Sequence, residues 1–407
     1  MSEHQRTESE HQHSERDRMP EEERDPAGSA PRKGRLRRLV SGRPGVAVVG
    51  AVVGALLAGG TMAWRAGELP FLPRNMCWGA LSPDTAGRLF PDGEIRAEEL
   101  PLHSPGSDGE SRSECRLQRW KDDELRSQAA AEVRRLDPYH GRGVREWTRE
   151  FLSPAMVPLG GETPGMVSDT RAWVALPESC TGGTDDDPPT VVSLSYGPLD
   201  SGGIASAAER RGKRAALADA VVELANGVLA ERRCQGRYPK PGTLHPQAGT
   251  RTLKQHGTEK LCGLRDTKLP SWLRGSREYP NAVRATTDIS GPAHSCEYGR
   301  HLSTDATRFT TIEDPHLANF VLPLGYRTSV RLRGDGFGSV SGDMSIYIAT
   351  CQTGPVAFLV QQEDFLDEHH PMTELLPAYV AAEAKRIGCG KVRVPEPKMS
   401  GQDSSER

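Results

Sequence analysis

Met76-Cys77-Trp78-Gly79-Ala80-Leu81-Ser82-Pro83-Asp84-Thr85 returns in shortened form as Leu261-Cys262-Gly263-Leu264-Arg265-Asp266-Thr267, and this echo divides the chain into two copies. A second cysteine follows each start, Cys115 at 38 residues from Cys77 and Cys296 at 34 from Cys262. Further on, Pro158-Leu159-Gly160 is echoed by Pro323-Leu324-Gly325, and Gly165-Met166-Val167-Ser168 by Gly338-Ser339-Val340-Ser341. Each echo leads to a third cysteine, Cys180 or Cys351. An apolar run follows in each copy (Thr190 to Tyr196, Val356 to Gln361), then a helical pattern, 204 to 233 or 372 to 387, that stops at Cys234 or Cys389. Ser82 before Pro83, and Asp266 in the later copy, read as caps of short helices.

The expected class is α+β: a single N-terminal transmembrane helix, then two tandem disulfide-stabilised domains, each an antiparallel sheet with a long C-terminal helix. The boundaries that follow are a polar, basic-ended tail over 1–44, a span over 45–64, a first repeat over 69–234, a linker over 235–260, a second repeat over 261–394 and a polar tail over 395–407. The span rests on GVAVVGAVVGALLAGGTMAW, Gly45 to Trp64, which holds no charged residue. Arg32, Lys33, Arg35, Arg37, Arg38 and Arg43 crowd its amino side. The positive-inside rule then predicts a single-pass protein of the cell membrane with a cytoplasmic N-terminus and extracytoplasmic repeats. An uncleaved signal-anchor fits the long tail and long apolar run better than a cleaved signal peptide. Gly50 and Gly54 form a GxxxG on this segment, which suggests a homodimer contact.

Cys77, Cys115, Cys180, Cys234, Cys262, Cys296, Cys351 and Cys389 all follow the apolar segment, and an even count placed there fits an oxidising compartment. Three pairings exist within each copy. First with second and third with fourth is favoured, because the last bridge would clamp the closing helix, although spacing leaves the connectivity open.

The net charge of −3 and a basic cluster confined to the membrane side argue against nucleic acid as partner. Neither a metal nor another cofactor is expected. His4, His11 and His13 lie in a charged tail. Asp185-Asp186-Asp187 lack the alternate spacing of a calcium loop, and the adjacent His369 and His370 would point apart on extended chain. Gly334, Gly336 and Gly338 make a GxGxG between two strand-like runs, where a hairpin explains them better than a phosphate loop. For nucleophilic catalysis the candidates are Ser168 or Ser341 with His294 or His316, but no G-x-S-x-G elbow surrounds either serine.

Cys77-Trp78-Gly79-Ala80-Leu81-Ser82-Pro83, with Cys115-Arg116-Leu117-Gln118-Arg119-Trp120 behind it, resembles actinobacterial cell-envelope lipoproteins and sensor ectodomains of the PsbP-like fold. The second copy departs from them in lacking the Ser-Pro opening and the tryptophan, and no lipobox precedes Cys77. The resemblance implies an envelope-facing binding or scaffold domain of unknown ligand and carries no catalytic residues over. The expected function is therefore a duplicated extracytoplasmic binding or scaffold domain for a wall ligand or an envelope protein; a membrane-tethered extracytoplasmic hydrolase is the alternative.

Overall fold

A computed structural model describes residues 75–395, apart from 103–112, 137–142, 182–187, 198–205, 257–258, 276–280, 287–290, 301–305, 327–329, 342 and 363–370. The first copy runs α1 (Pro83–Leu89), β1 (Glu94–Glu99), β2 (Ser113–Lys121), β3 (Glu124–Arg135), α2 (Val144–Phe151), β4 (Val157–Pro158), β5 (Gly165–Val167), β6 (Arg171–Ala175), α3 (Glu178–Thr181), β7 (Thr190–Tyr196) and α4 (Ala207–Glu231). The second runs β8 (Arg251–Thr252), α5 (Leu253–His256), β9 (Ala282–Ala285), β10 (Ala293–Gly299), β11 (Thr307–Ile312), α6 (Pro315–Ala318), β12 (Val330–Arg333), β13 (Gly336–Val340), β14 (Met344–Cys351), β15 (Gly354–Gln362) and α7 (Pro371–Arg386).

Two antiparallel sheets result, with strand orders β1-β2-β3-β7-β6-β5-β4 and β12-β13-β14-β15-β11-β10-β9-β8. Read from the opposite edge, the second order matches the first strand for strand, with β8 added outside β9. Local chemistry sets the ends of the elements. Ser82 Oγ accepts from the Thr85 N–H at the start of α1, behind Pro83, and Ser206 with Glu209 forms a reciprocal capping box on α4. Asp266 caps no helix. It takes a positive φ of 65° and instead accepts a hydrogen bond from Lys385. Gly334 turns the chain from β12 into β13, and a Cβ on Gly336 would lie 2.0 Å from the Ile348 carbonyl, so the glycines serve a tight hairpin.

Alternation along the strands explains the layering. On β6, Ala172 and Val174 face α4, while Trp173 and Ala175 face the other way; on β15, Val356, Phe358 and Val360 face α7, while Ala357 and Leu359 face away. The outward sets meet each other. Trp147, Phe151, Trp173, Phe320, Ile346, Ile348 and Leu359 share one core, so the order of layers is helix, sheet, sheet, helix. Pro73–Arg407 gathers into one compact unit.

The expected class is corrected accordingly. Two antiparallel sheets with few helices, packed face to face in one unit, replace two separate α+β domains. The physical reason lies in strands such as Thr190–Tyr196, where both Val191 and Val192 are buried: one helix covers only one face, and the second face is buried only against the other sheet. Among the described residues no helix is long and apolar enough to cross a membrane. α4 has the length but carries Arg210, Arg211, Lys213, Arg214, Asp219 and Glu223. Residues 45–64, with Gly50 and Gly54, lie outside the described residues.

Four disulfides tie the unit: Cys77–Cys115, Cys180–Cys234, Cys262–Cys296 and Cys351–Cys389, with Cα separations of 4.8 to 5.6 Å. The first of each copy fastens the opening segment to β2 or β10. The last fastens the chain behind α4 or α7 back to the sheet side.

Candidate functional site

Several sequence candidates, His4, His11, His13, Asp185, Asp186, Asp187, His369 and His370, lie outside the described residues. Ser168 and Ser341 occupy matching turns, β5 to β6 and β13 to β14. Ser168 Oγ accepts from the N–H groups of Thr170 and Arg171, and Ser341 Oγ donates to the Met344 carbonyl at 2.7 Å. The histidines are engaged elsewhere. His316 Nδ1 lies 2.9 Å from Glu178, and His294 Nδ1 lies 3.4 Å from Glu383. The structure therefore does not assemble the serine–histidine pairs, and among the described residues no group of three or more His, Cys, Asp or Glu is placed to hold a metal.

His294 belongs to a polar network sealed beneath α7. Glu383 is fully buried and accepts two hydrogen bonds from Arg386, which also donates to Glu313, while Tyr379 and Thr311 share a hydrogen bond of 2.8 Å. Burial alone would raise the Glu383 carboxyl; the facing His294 and Arg386 outweigh it and hold the group below its ordinary value. These contacts seat a helix on a sheet, and no serine or cysteine takes part in them.

A cleft of about 530 Å³ opens where the two copies meet. Its walls are the first turns of α4 (Ala207, Arg210, Arg211, Arg214), the turn residue Asp169, the connecting segment from Leu244 to Thr250, and Arg284 of β9. No single copy makes it. Arg214 is 5 % exposed; its Nη1 donates to Gln247 at 3.1 Å and to Asp169 at 3.4 Å, whereas its Nε is buried with no hydrogen-bond partner among the described residues. Arg210 approaches Asp169 at 3.8 Å. Arg284 donates to Thr250 Oγ1 at 3.0 Å and lies 3.4 Å from Glu297, a buried carboxylate already gripped by Arg308. Burial pushes the Asp169 carboxyl above its ordinary value although Arg214, Arg210 and Lys213 pull it down. The lining thus sets four guanidinium groups against one poorly solvated carboxylate.

A second cleft, of about 550 Å³, lies between α1, α4 and the segment from Arg237 to Pro241. In it Arg88 pairs with Asp219 at 3.0 Å, and Glu223 accepts from the Ser82 N–H at 3.1 Å.

Sequence reasoning missed the arginine cleft. One local signal was present: Arg210, Arg211, Lys213 and Arg214 stand in the first turns of a helix, where the dipole favours anions and opposes cations. Comparison with known proteins finds no family model, no curated relative and no solved structure that matches the chain.

Proposed function

We infer that the chain is an extracytoplasmic, disulfide-stabilised binding or scaffold protein whose ligand site is the cleft between its two copies. The observation that carries this reading is that both copies and their connecting segment contribute walls to one solvent-open, arginine-lined cavity. The compartment is supported by four disulfides with no free cysteine among the described residues. The resemblance of Cys77 to Pro83 and Cys115 to Trp120 to envelope domains supports it too. A serine hydrolase built on Ser168 or Ser341 would need a base beside the hydroxyl, and both hydroxyls are held within their own turns.

The test uses the full chain, oxidised, in a thermal-shift screen of small envelope-type compounds, with Ala207→Trp as a plug. Ala207 is exposed and lines the cleft, so the bulkier side chain fills space without entering the core. Compounds that raise the melting temperature of the wild type but not of the plugged variant mark the cleft as the site. Shifts of equal size in both proteins would place binding elsewhere and sink the reading. Alkylation of the unreduced protein in intact cells should meanwhile find no free thiol.

A further inference from the structure

We propose that this cleft takes an organic phosphate ester, its oxyanion against Arg210, Arg211, Arg214 and Arg284 and its organic part along Leu244, Pro246 and Ala248. The proposal rests on the reading that the cleft is the ligand site, and it names the ligand's chemistry.

Three observations converge on an oxyanion. The first is an excess of positive charge in the lining: four arginines line the cleft with one carboxylate, Asp169, while Arg284 also lies 3.4 Å from Glu297 behind the wall, and Lys213 stands over the Tyr196 ring, 3.6 Å from its centroid. The second is the Nε of Arg214, buried and without an acceptor among the described residues, on a side chain that lines the cavity and whose Nη1 is engaged by Gln247 and Asp169. Buried donors are almost always satisfied, and an arginine presents its Nε and one Nη as a fork that fits two oxygens of one phosphate. The third is position. The basic cluster occupies the amino end of a 25-residue helix, where its own charge is disfavoured and a bound anion is favoured. A ligand with its own negative charge resolves all three at once.

The opposite wall argues for an ester over the free ion. Leu244, Pro246 and Ala248 offer apolar surface beside the guanidinium groups, and a cavity of about 530 Å³ holds more than a bare phosphate. Asp169 acts as the resident competitor. Its carboxylate lies 3.4 Å from the buried Arg214 and 3.8 Å from the exposed Arg210, so a phosphate entering the cleft displaces it as their partner.

The experiment is isothermal titration of the oxidised full chain with phenyl phosphate, inorganic phosphate and phenol. Phenyl phosphate should bind, more tightly than inorganic phosphate and with an affinity that falls as salt rises, and phenol should not bind. Arg211→Gln, at an exposed position where folding is not at stake, should weaken phenyl phosphate about tenfold, equivalent to about 1.4 kcal/mol. Asp169→Asn should tighten it, because the competing charge is gone and the shape kept. Equal binding of inorganic and phenyl phosphate would overturn the ester in favour of the free ion. Phenol binding that Ala207→Trp abolishes, with no binding of either phosphate, would overturn the phosphate chemistry and leave the cleft as the site. Phenyl phosphate binding unchanged in Ala207→Trp and Arg211→Gln would overturn both.

Discussion

α4 and α7 close the two copies at corresponding places on their own sheets, and both bury apolar residues there, yet the contacts beneath them differ. α4 lies on its sheet through Leu217, Val221, Leu224 and Val228, and approaches the opening segment so closely that a Cβ on Gly227 would fall 2.1 Å from the Ala80 Cβ. α7 instead sets Glu383 where α4 has Val228, at the same distance from the closing cysteine, and builds a buried ionic network around it. In place of Gly227 it carries Ala382, which is half-buried. The comparison teaches that the strand order fixes where the helix goes, while the contacts beneath it are free to differ. Losing a methyl from an apolar contact costs less than losing one partner of a buried ionic one.

The largest expected effect follows from that difference. Glu383→Ala leaves Arg386 and His294 facing a void beside Glu313 and Tyr379, and breaking a buried pair from one side costs about 3 to 5 kcal/mol. Urea unfolding of the oxidised full chain measures it; a loss below about 1 kcal/mol would show that the network adds little. The pH dependence gives a second check. Because the folded carboxyl sits below its ordinary value of 4.5, its contribution is present above that value and disappears as pH falls through the folded one. Glu383→Gln should therefore flatten the acid limb of the stability curve.

Next come the bridges behind the two helices. Cys180→Ser with Cys234→Ser opens a loop of 54 residues, and Cys351→Ser with Cys389→Ser one of 38. Loop entropy depends on length only logarithmically, so each removal should cost about 4 kcal/mol and the two should nearly match. Calorimetry of the two double variants decides this. A clearly smaller loss in the second copy would mean that the ionic network already holds the end of α7 in place, and would sharpen the contrast between the helices.

The cysteine order, the strand at Thr190–Tyr196 and the two closing helices are legible in the amino-acid sequence because they are local patterns, set by alternation, helical spacing and stop signals. The packing of one sheet on the other is not. Val191 and Val192 are both apolar, and such a run fits one strand between two layers without saying what the second layer is. The cleft is hidden for a related reason: Asp169, Arg214, Gln247 and Arg284 lie far apart in the chain, and each alone reads as an ordinary solvated charge or amide. The 235–260 segment, which reads as a linker for its Gly, Pro and Lys, supplies a wall of that cleft and the short strand β8, with Tyr238 and Leu244 packed on the first copy's core and Arg251–Thr252 paired to β9.

The smallest effects test the other half of the helix comparison, and they use one residue type within one helix. Glycine in a helix interior lowers stability by about 1 kcal/mol relative to alanine, so a glycine there needs a reason. α4 has two, Gly212 and Gly227. At Gly212 a Cβ meets nothing within 4 Å, so Gly212→Ala should raise stability by about 0.5 to 1 kcal/mol. At Gly227 the same methyl collides with both Cα and Cβ of Ala80, and backbone on either side must move; Gly227→Ala should cost about 1 to 3 kcal/mol despite the better helix propensity. Thermal melts of the two single variants, run side by side, should shift in opposite directions. If both rise, α4 does not rest on the Cys77 segment as closely as the geometry requires, and the two closing helices are more alike than their contacts indicate.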